Sequence, residues 1–407
     1  MATIGLLLLI AAALGVVMVA VMVLLTVLHL RKQAPVPSVW PGISVLKPLC
    51  GADDALAENL ASFVALPYPG AYEVLLGVRS EKDSAYPLAC EAVRRWPHRV
   101  RLVLQEGEAG FNPKVNQLVC LARAARYDLF VVSDSNIRVP PGYLLDIAGH
   151  LGRPGVGCVT HPVAGNGHKS LGALLDNLHL GGSIAPGMVC AQRVLKKDLV
   201  VGKSMALWRH DLDLLGGFAS VANVLAEDHV LGNRLVRELG AGVAVSSLPV
   251  WNIAVEKSVG SFFKRYLRWS VTHRTNMTFP AYLAESLLNP IPLAVIGFAL
   301  RPGPGAAATL AACAVLKPAL DSVAFSRLRQ EFFSWHAFGA GWVKDGLLFI
   351  TWVHGLFART VQWRGHRLRV LQGGTLAAPR GHQPTEVAES FPALHGSAPT
   401  AWSNVQA

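Results

Sequence analysis

"YDLFVVSD", residues 127–134, is an apolar run that closes on one carboxylate, Asp134. A short run of aromatic and β-branched residues bounded by polar ones reads as a buried strand. "SDSN" (133–136) follows at its end, so Asp134 is either a ligand-binding group at a strand tip or the first residue of an Asx-turn. The residues before it decide which fold carries it. "ISVLKPL" (43–49), "YEVLLGV" (72–78) and "RVRLVLQ" (99–105) read as strands, each followed by a helical pattern at 53–65, 85–96 and 113–125. Strands alternating with helices predict a parallel sheet covered on both faces, which binds ligands at the carboxyl ends of its strands. Shorter runs, "GVGCVTHPV" and "GAGVAVSSLPV", between about 155 and 260 read as the second half of the same domain.

The chain has 407 residues, of which 52% are hydrophobic and 15% charged, with a mean hydropathy of +0.38. That is too apolar for an ordinary soluble protein, so membrane segments are expected to carry the excess. The run from Ile4 to Leu30, closed by Arg31 and Lys32, is long enough to cross a bilayer. Its start, "MATIG", lacks the basic region of a secretory signal, and the run is too long for one, so it reads as a retained anchor. The positive-inside tendency puts Arg31, Lys32 and the chain beyond them in the cytoplasm.

Residues 33–42, "QAPVPSVWPG", read as a linker, and 43–262 as the catalytic domain. A basic, aromatic interfacial helix is expected over 263–280, and membrane helices over 281–360. Three apolar segments, 282–300, 305–325 and 338–358, lie in that last range. If all three crossed, the basic stretch "RTVQWRGHRLR" (359–369) would end outside, so one is expected to be re-entrant or interfacial. Asn289, Pro290 and Pro292 interrupt the first; Lys344 and Asp345 in the third must face protein or an interface. Residues 361–407 read as a basic stretch and then a polar, disordered tail.

Six cysteines form no CxxC pair and no zinc-type spacing, which fits reduced thiols in a cytoplasmic domain. The net charge of +11 suits a polyanionic substrate or lipid headgroups. Nucleic acid is not expected as a partner. "RRWPHRVR" (94–101) reads as a solvated face, "GNGHKS" (165–170) lacks the third glycine of a dinucleotide fingerprint, and no P-loop occurs.

Four stations carry the candidate chemistry: "GVRSEKDSA" (77–85), "GFNPKVNQL" (110–118), "SDSN" (133–136) and "AEDHVLG" (226–232), followed by "KRYLRW" (264–269). An inverting nucleotide-sugar transferase needs such parts: a cation for the diphosphate, a carboxylate base for the acceptor, and cationic side chains near the phosphates. With "LKPLCG", "YPGAYEVLLGV", "NPKVNQL", "YDLFVVSDSNIRVPP", "AEDHVLG", "RYLRW" and "RLRVLQGGT" in that order, the chain resembles the ceramide glucosyltransferase family from about Ile43 to Thr375.

That resemblance implies an α/β fold of GT-A type: a Rossmann-like, mixed and mostly parallel sheet, with an N-terminal transmembrane anchor and C-terminal membrane helices. It implies an integral membrane protein with a cytoplasmic catalytic domain, in the inner membrane if bacterial or a Golgi-type membrane if eukaryotic. The implied partners are a UDP-sugar donor, a lipid acceptor (ceramide or similar) and membrane lipids, and the implied cofactor is a divalent cation, Mg2+ or Mn2+. Asp134 matches the metal-associated aspartate, with Asn136 in the place of the second acid of a DxD pair. Asp228 matches the general base. Glu227 is its neighbour, but adjacent helical residues point about 100° apart, so both cannot serve one oxygen; the other reading of Glu227 is an acidic first turn favouring the helix dipole. Arg265, Arg268 and Trp269 match the (R/Q)xxRW motif at the diphosphate and acceptor, and the same helix also reads as a lipid anchor. The family's aspartate after "VLLGV" falls at Ser80, leaving Asp83 as the uridine contact or a solvated turn residue. Lys114 is a phosphate or ribose contact, or a solvated lysine.

The expected reaction is transfer of glucose from UDP-glucose to the primary hydroxyl of ceramide with inversion. One rival is transfer of N-acetylglucosamine or another hexose to a hopanoid polyol. A second rival, for which Ser80 speaks, is a non-catalytic lipid-binding membrane protein.

Overall fold

The computed structural model describes residues 1–363 and 366–377. Helix α1 (Ala2–Leu30) comes first, followed by β1 (Ile43–Pro48), α2 (Leu56–Val64), β2 (Tyr72–Val78), α3 (Tyr86–Arg95), β3 (Val100–Leu104), α4 (Pro113–Ala124) and β4 (Leu129–Ser133). The alternation is the one the sequence displays. Then come β5 (Ile137–Arg138), α5 (Tyr143–Leu151), β6 (Val156–Thr160), β7 (Val163–Asn166), α6 (Leu171–His179), a π-helical turn at Leu180–Ile184, α7 (Ala185–Arg193), β8 (Ser204–Trp208), α8 (Arg209–Leu214), α9 (Glu227–Leu239), β9 (Gly242–Val245) and β10 (Val250–Ile253).

Seven strands form the main sheet in the order β3-β2-β1-β4-β8-β6-β9. The first four are parallel, and β8 runs antiparallel to both β4 and β6. The chain leaves β1 towards β2 and β3 on one side and returns to β4 on the other. Such a reversal opens a crevice at the carboxyl ends of the two central strands. Ile43, Val45, Val74, Leu76, Leu129 and Val131 join a core with α2, α3 and α5. Their chain neighbours Leu46, Leu75, Phe130 and Val132 join a second core with α4 and α9. Because consecutive residues serve opposite cores, these strands read as unbroken apolar runs rather than alternating ones.

Helices α10 (Val259–Asn276), α11 (Phe279–Ala284), α12 (Pro290–Leu300), α13 (Pro304–Arg329) and α14 (Trp335–Phe357) follow the domain. Among the described residues two helices, α1 and α13, are long and apolar enough to cross a membrane. Phe279–Leu288 and Pro290–Leu300 together pass the same test but are bent by 87°. The break falls at Asn289 and Pro290, where proline removes a helical donor and clashes with the preceding turn. Of the three expected C-terminal segments, the first is therefore the broken one. In the third, Lys344 and Asp345 are fully buried and meet Lys317 and Asp321 of α13, with Lys317 Nζ 3.2 Å from Asp345 Oδ1. They face protein, as their cost in a membrane helix requires.

Helix α1 packs along α12 and α13. A Cβ on Gly15 would lie 2.4 Å from the Leu287 carbonyl oxygen, so only glycine admits that approach. The end of α1 is fastened to the sheet domain: His29 Nε2 lies 3.0 Å from the Ser246 carbonyl oxygen, and Ser247 Oγ donates to the Lys32 carbonyl at 2.9 Å. Past α14, Thr360–Trp363, His366–Val370 and Leu376–Ala377 form a small antiparallel sheet. The expected disordered tail lies, from residue 378 onward, outside the described residues.

Candidate active site

Asp134 follows β4 at the crevice beside the tip of β1. The fully buried Lys47, near the end of β1, donates to the Asp134 carbonyl at 2.9 Å and to Ser133 Oγ at 3.3 Å, fixing the two strand tips to each other. Burial presses the Lys47 pKa down to about 7, against the pull of Asp134 and Asp53. The Asp134 side chain is 29% exposed, and both of its oxygens meet ammonium groups: Lys114 at 3.0 Å and Lys203 at 3.4 Å. Lys203 also donates to Asn136 Oδ1 at 3.3 Å. Burial alone would raise the Asp134 pKa, but Lys114 and Lys203 outweigh it and hold the carboxyl well below its ordinary range. Burial lowers Lys203 to about 8 despite Asp134.

Lys114 joins the second, third and fourth stations. It starts α4, whose N-cap Asn112 accepts from the Lys114 and Val115 amides. Its Nζ lies 3.0 Å from Asp134 and 3.0 Å from Glu227 Oε1, and donates to the Gly202 carbonyl at 3.1 Å. Burial would lower its pKa; Asp134, Glu227 and Asp228 outweigh that and raise it. Glu227 opens α9 but is buried rather than solvated, and its second oxygen accepts from Asn112 Nδ2 at 3.1 Å. Burial, and then Asp228, raise its pKa in spite of Lys114. Of the two neighbouring acids, Glu227 faces inward and is taken up by Lys114 and Asn112, whereas Asp228 is half-buried. Asp228 accepts from the amides of Gly202 and His229, the latter at 2.8 Å. A Cβ on Gly202 would lie 2.9 Å from Asp228 Cγ, so glycine here keeps the carboxylate close to the loop that precedes β8. Asp134 and Asp228 are therefore linked through Lys114 and the Gly202–Lys203 loop.

The (R/Q)xxRW residues lie on α10. Arg265 Nη1 is held at 2.8 Å by Asp176 of α6, which also accepts from Lys257 at 2.8 Å and from the Tyr266 hydroxyl at 2.9 Å. Burial would raise the Asp176 pKa, yet Arg265 and Lys257 keep it well below the carboxylate range. Trp269 is half-buried, with its ring 5.3 Å from the Arg265 guanidinium and 5.6 Å from the Tyr266 ring. Arg268 is also half-buried, one turn on from Arg265. Asp83 stands apart from the lysine cluster: its Oδ1 accepts from the Gly51 amide at 2.8 Å and the Ala85 amide at 2.9 Å, pinning the loop after β1 to the start of α3. Three participants are not marked as site residues by the sequence: Lys203 and Asp176 lie outside the quoted motifs, Lys47 lies in "LKPLCG" as a strand residue, and only the fold brings them in.

As a cation site the cluster offers one carboxylate, Asp134, and the Asn136 carboxamide oxygen. Among the described residues no three His, Cys, Asp or Glu side chains converge. Mg2+ is commonly bound through one or two carboxylates with phosphate and water filling its other positions. The set fits a cation that enters with a diphosphate, not a preformed protein cage.

Comparison with known proteins bears on the fold and the family. The structure is similar to the mannosyltransferase PcManGT from Pyrobaculum calidifontis in complex with GDP-Man and Mn2+, at 20% identity and a TM-score of 0.54 over 88% of this chain and 99% of that one, which shows a shared fold. The fold is thus the GT-A type, with its mixed, mostly parallel sheet. Ceramide glucosyltransferase 1 of Caenorhabditis elegans is 32% identical over 249 residues, covering 59% of this chain and 51% of the relative. Ceramide glucosyltransferase 3 of the same organism is 29% identical over 270 residues, covering 66% and 58%. The chain thus spans about half the length of the curated relatives it matches. The profile of glycosyl transferase family 21 matches residues 7–376, from the first helix to the last small strand, and the chain belongs to that family.

Proposed function

We propose that this chain transfers glucose from UDP-glucose to the primary hydroxyl of ceramide with inversion, on the cytoplasmic face of a membrane. The observation that carries the reading is the bridge from Asp134 through Lys114 to the start of α9, beside which Asp228 forms no ion pair among the described residues. The ceramide glucosyltransferase relatives support the acceptor class.

In this reading the diphosphate lies against Lys114 and Lys203 at the N-terminus of α4, where backbone donors also favour an anion. Asp134 and Asn136 would hold a divalent ion, which when bound neutralises charge on the departing diphosphate. Asp228 takes the proton from the acceptor hydroxyl as that oxygen attacks carbon 1 of glucose. The bond from carbon 1 to the diphosphate oxygen breaks, and UDP departs with the electron pair. An alcohol is a very weak acid, so placement of Asp228 matters more than an unusual affinity for protons. Arg265, fixed by Asp176, and Arg268 present guanidiniums towards the diphosphate, while Trp269 borders the acceptor. Asp83 shapes the uridine end by holding the loop at Gly51.

The test is the purified full chain incubated with UDP-glucose or UDP-N-acetylglucosamine and with ceramide or a hopanoid polyol. The expected product is β-glucosylceramide from one pair alone. Transfer only to the polyol would replace the acceptor, and neither transfer nor donor hydrolysis in any pair would overturn the enzyme reading.

A further inference from the structure

The place where a second acid would complete a cation site holds Asn136, and the group facing it is a lysine. Lys203 comes just before β8, whose first residue Ser204 is in register with Ser133 across the β4–β8 pair. Its ammonium therefore stands opposite the β4 tip, touching Asp134 Oδ2 at 3.4 Å and Asn136 Oδ1 at 3.3 Å. Lys114 covers the other Asp134 oxygen at 3.0 Å. Both oxygens that a metal would use are thus already met by positive charge. A carboxylate at 136 would add a negative charge that needs a cation, whereas a neutral carboxamide is satisfied by the lysine. Of the three N–H donors on a lysine ammonium, Lys203 spends two on these partners among the described residues, leaving one to aim at a ligand in the pocket that Asp134 opens to solvent.

We infer that Lys203 is a diphosphate-binding residue that supplies charge otherwise brought by a divalent ion, so that this site holds a nucleoside diphosphate without one. The inference rests on the proposed donor class and adds to it a residue that the family's motifs do not include. The lysine before β8 and the carboxamide at 136 form a matched pair: one removes the need for a metal in holding the diphosphate, and the other removes the negative charge that would call for it there.

Calorimetric titration of UDP into the full chain in detergent, in excess EDTA and again with Mg2+ or Mn2+, tests this. The wild-type Kd for UDP is expected to change by less than about fivefold between the two conditions, and K203M to weaken UDP binding in EDTA by about ten- to hundredfold, the worth of one hydrogen bond to a charged group. Added cation is expected to recover much of the K203M loss, and K203R to stay near wild type. K203Q, which keeps a polar side chain, serves if K203M melts early. A wild-type loss above about fivefold in EDTA, or K203M and K203Q both binding UDP in EDTA like wild type, would overturn the inference while leaving the donor class standing. Absence of UDP binding in every condition would overturn both.

Discussion

Two clusters of lysines and acids lie in this molecule, and they differ in what surrounds them. Around Asp134 the charges gather at strand and helix ends: Lys114 at the start of α4, Glu227 at the start of α9, Lys203 on the loop before β8. Backbone groups take part, and the central carboxylate is 29% exposed. Between α13 and α14, Lys317, Asp321, Lys344 and Asp345 form a neutral quartet of side chains, each at most 1% exposed. The first can receive a charged ligand; the second is sealed. A sealed network of this kind costs desolvation to build and is strongly destabilising to break on one side, because the remaining charge has no partner. Similar residue types thus take opposite places: in the proposed reaction the open group binds and reacts, while the closed one clamps two helices.

The largest effect expected is from Asp228→Asn in the open group. Turnover should fall by about 10²–10⁴-fold, the usual worth of a general base, with UDP affinity preserved. Loss of UDP binding would instead reassign Asp228 to the donor. In the closed group, Asp321→Asn leaves Asp345 alone to balance both Lys317 and Lys344 and is expected to cost about 3–5 kcal/mol, read as an earlier melting transition in detergent. An unchanged transition there would erase the distinction between the two clusters. Asp134→Ala sharpens it from the other side: the concentration of Mg2+ or Mn2+ needed for half-maximal turnover should rise by about tenfold, with melting little affected. An unaltered metal titration would remove Asp134 from the cation's ligands.

The smallest effect concerns His273, which meets Glu285 at 2.5 Å where α10 joins α11. Burial lowers the His273 pKa, but Glu285 outweighs it and the folded value lies above 6.5. Stability from this pair is therefore complete below pH 6.5 and is lost as pH rises through the folded value. His273→Gln should flatten that slope, at a cost under about 1 kcal/mol at low pH. A slope equal to wild type would place the titration elsewhere.

Much of this was legible in the chain itself. The strands of the first half announce themselves because each is buried on both faces, and Asp134, Lys114 and Asp228 could be named because each falls in a short local pattern. Lys203 and Lys47 could not. Their partners lie far along the chain, and a lysine next to a strand reads as solvated until the fold turns it inward. Asp176 was hidden for the same reason: within "GALLDNLHL" it looks like an ordinary polar helix position, and only α10 crossing α6 gives it Arg265, Lys257 and Tyr266. That neighbouring helical residues point apart separates the acid pair "ED" already in the sequence, but which member faces inward depends on how α9 lies against α4.

The join at His29 and Ser246 has a bearing on how a greasy substrate meets a water-soluble one. The first helix is fastened to the sheet by side chain and backbone, so with that helix in a bilayer the crevice would keep a set height and tilt instead of swinging on a leash. If the proposed reaction holds, a two-tailed acceptor reaches the sugar by drifting sideways beneath the crevice and rising only by its polar end, so a rigid mount favours substrates whose reactive hydroxyl stands close to the bilayer plane.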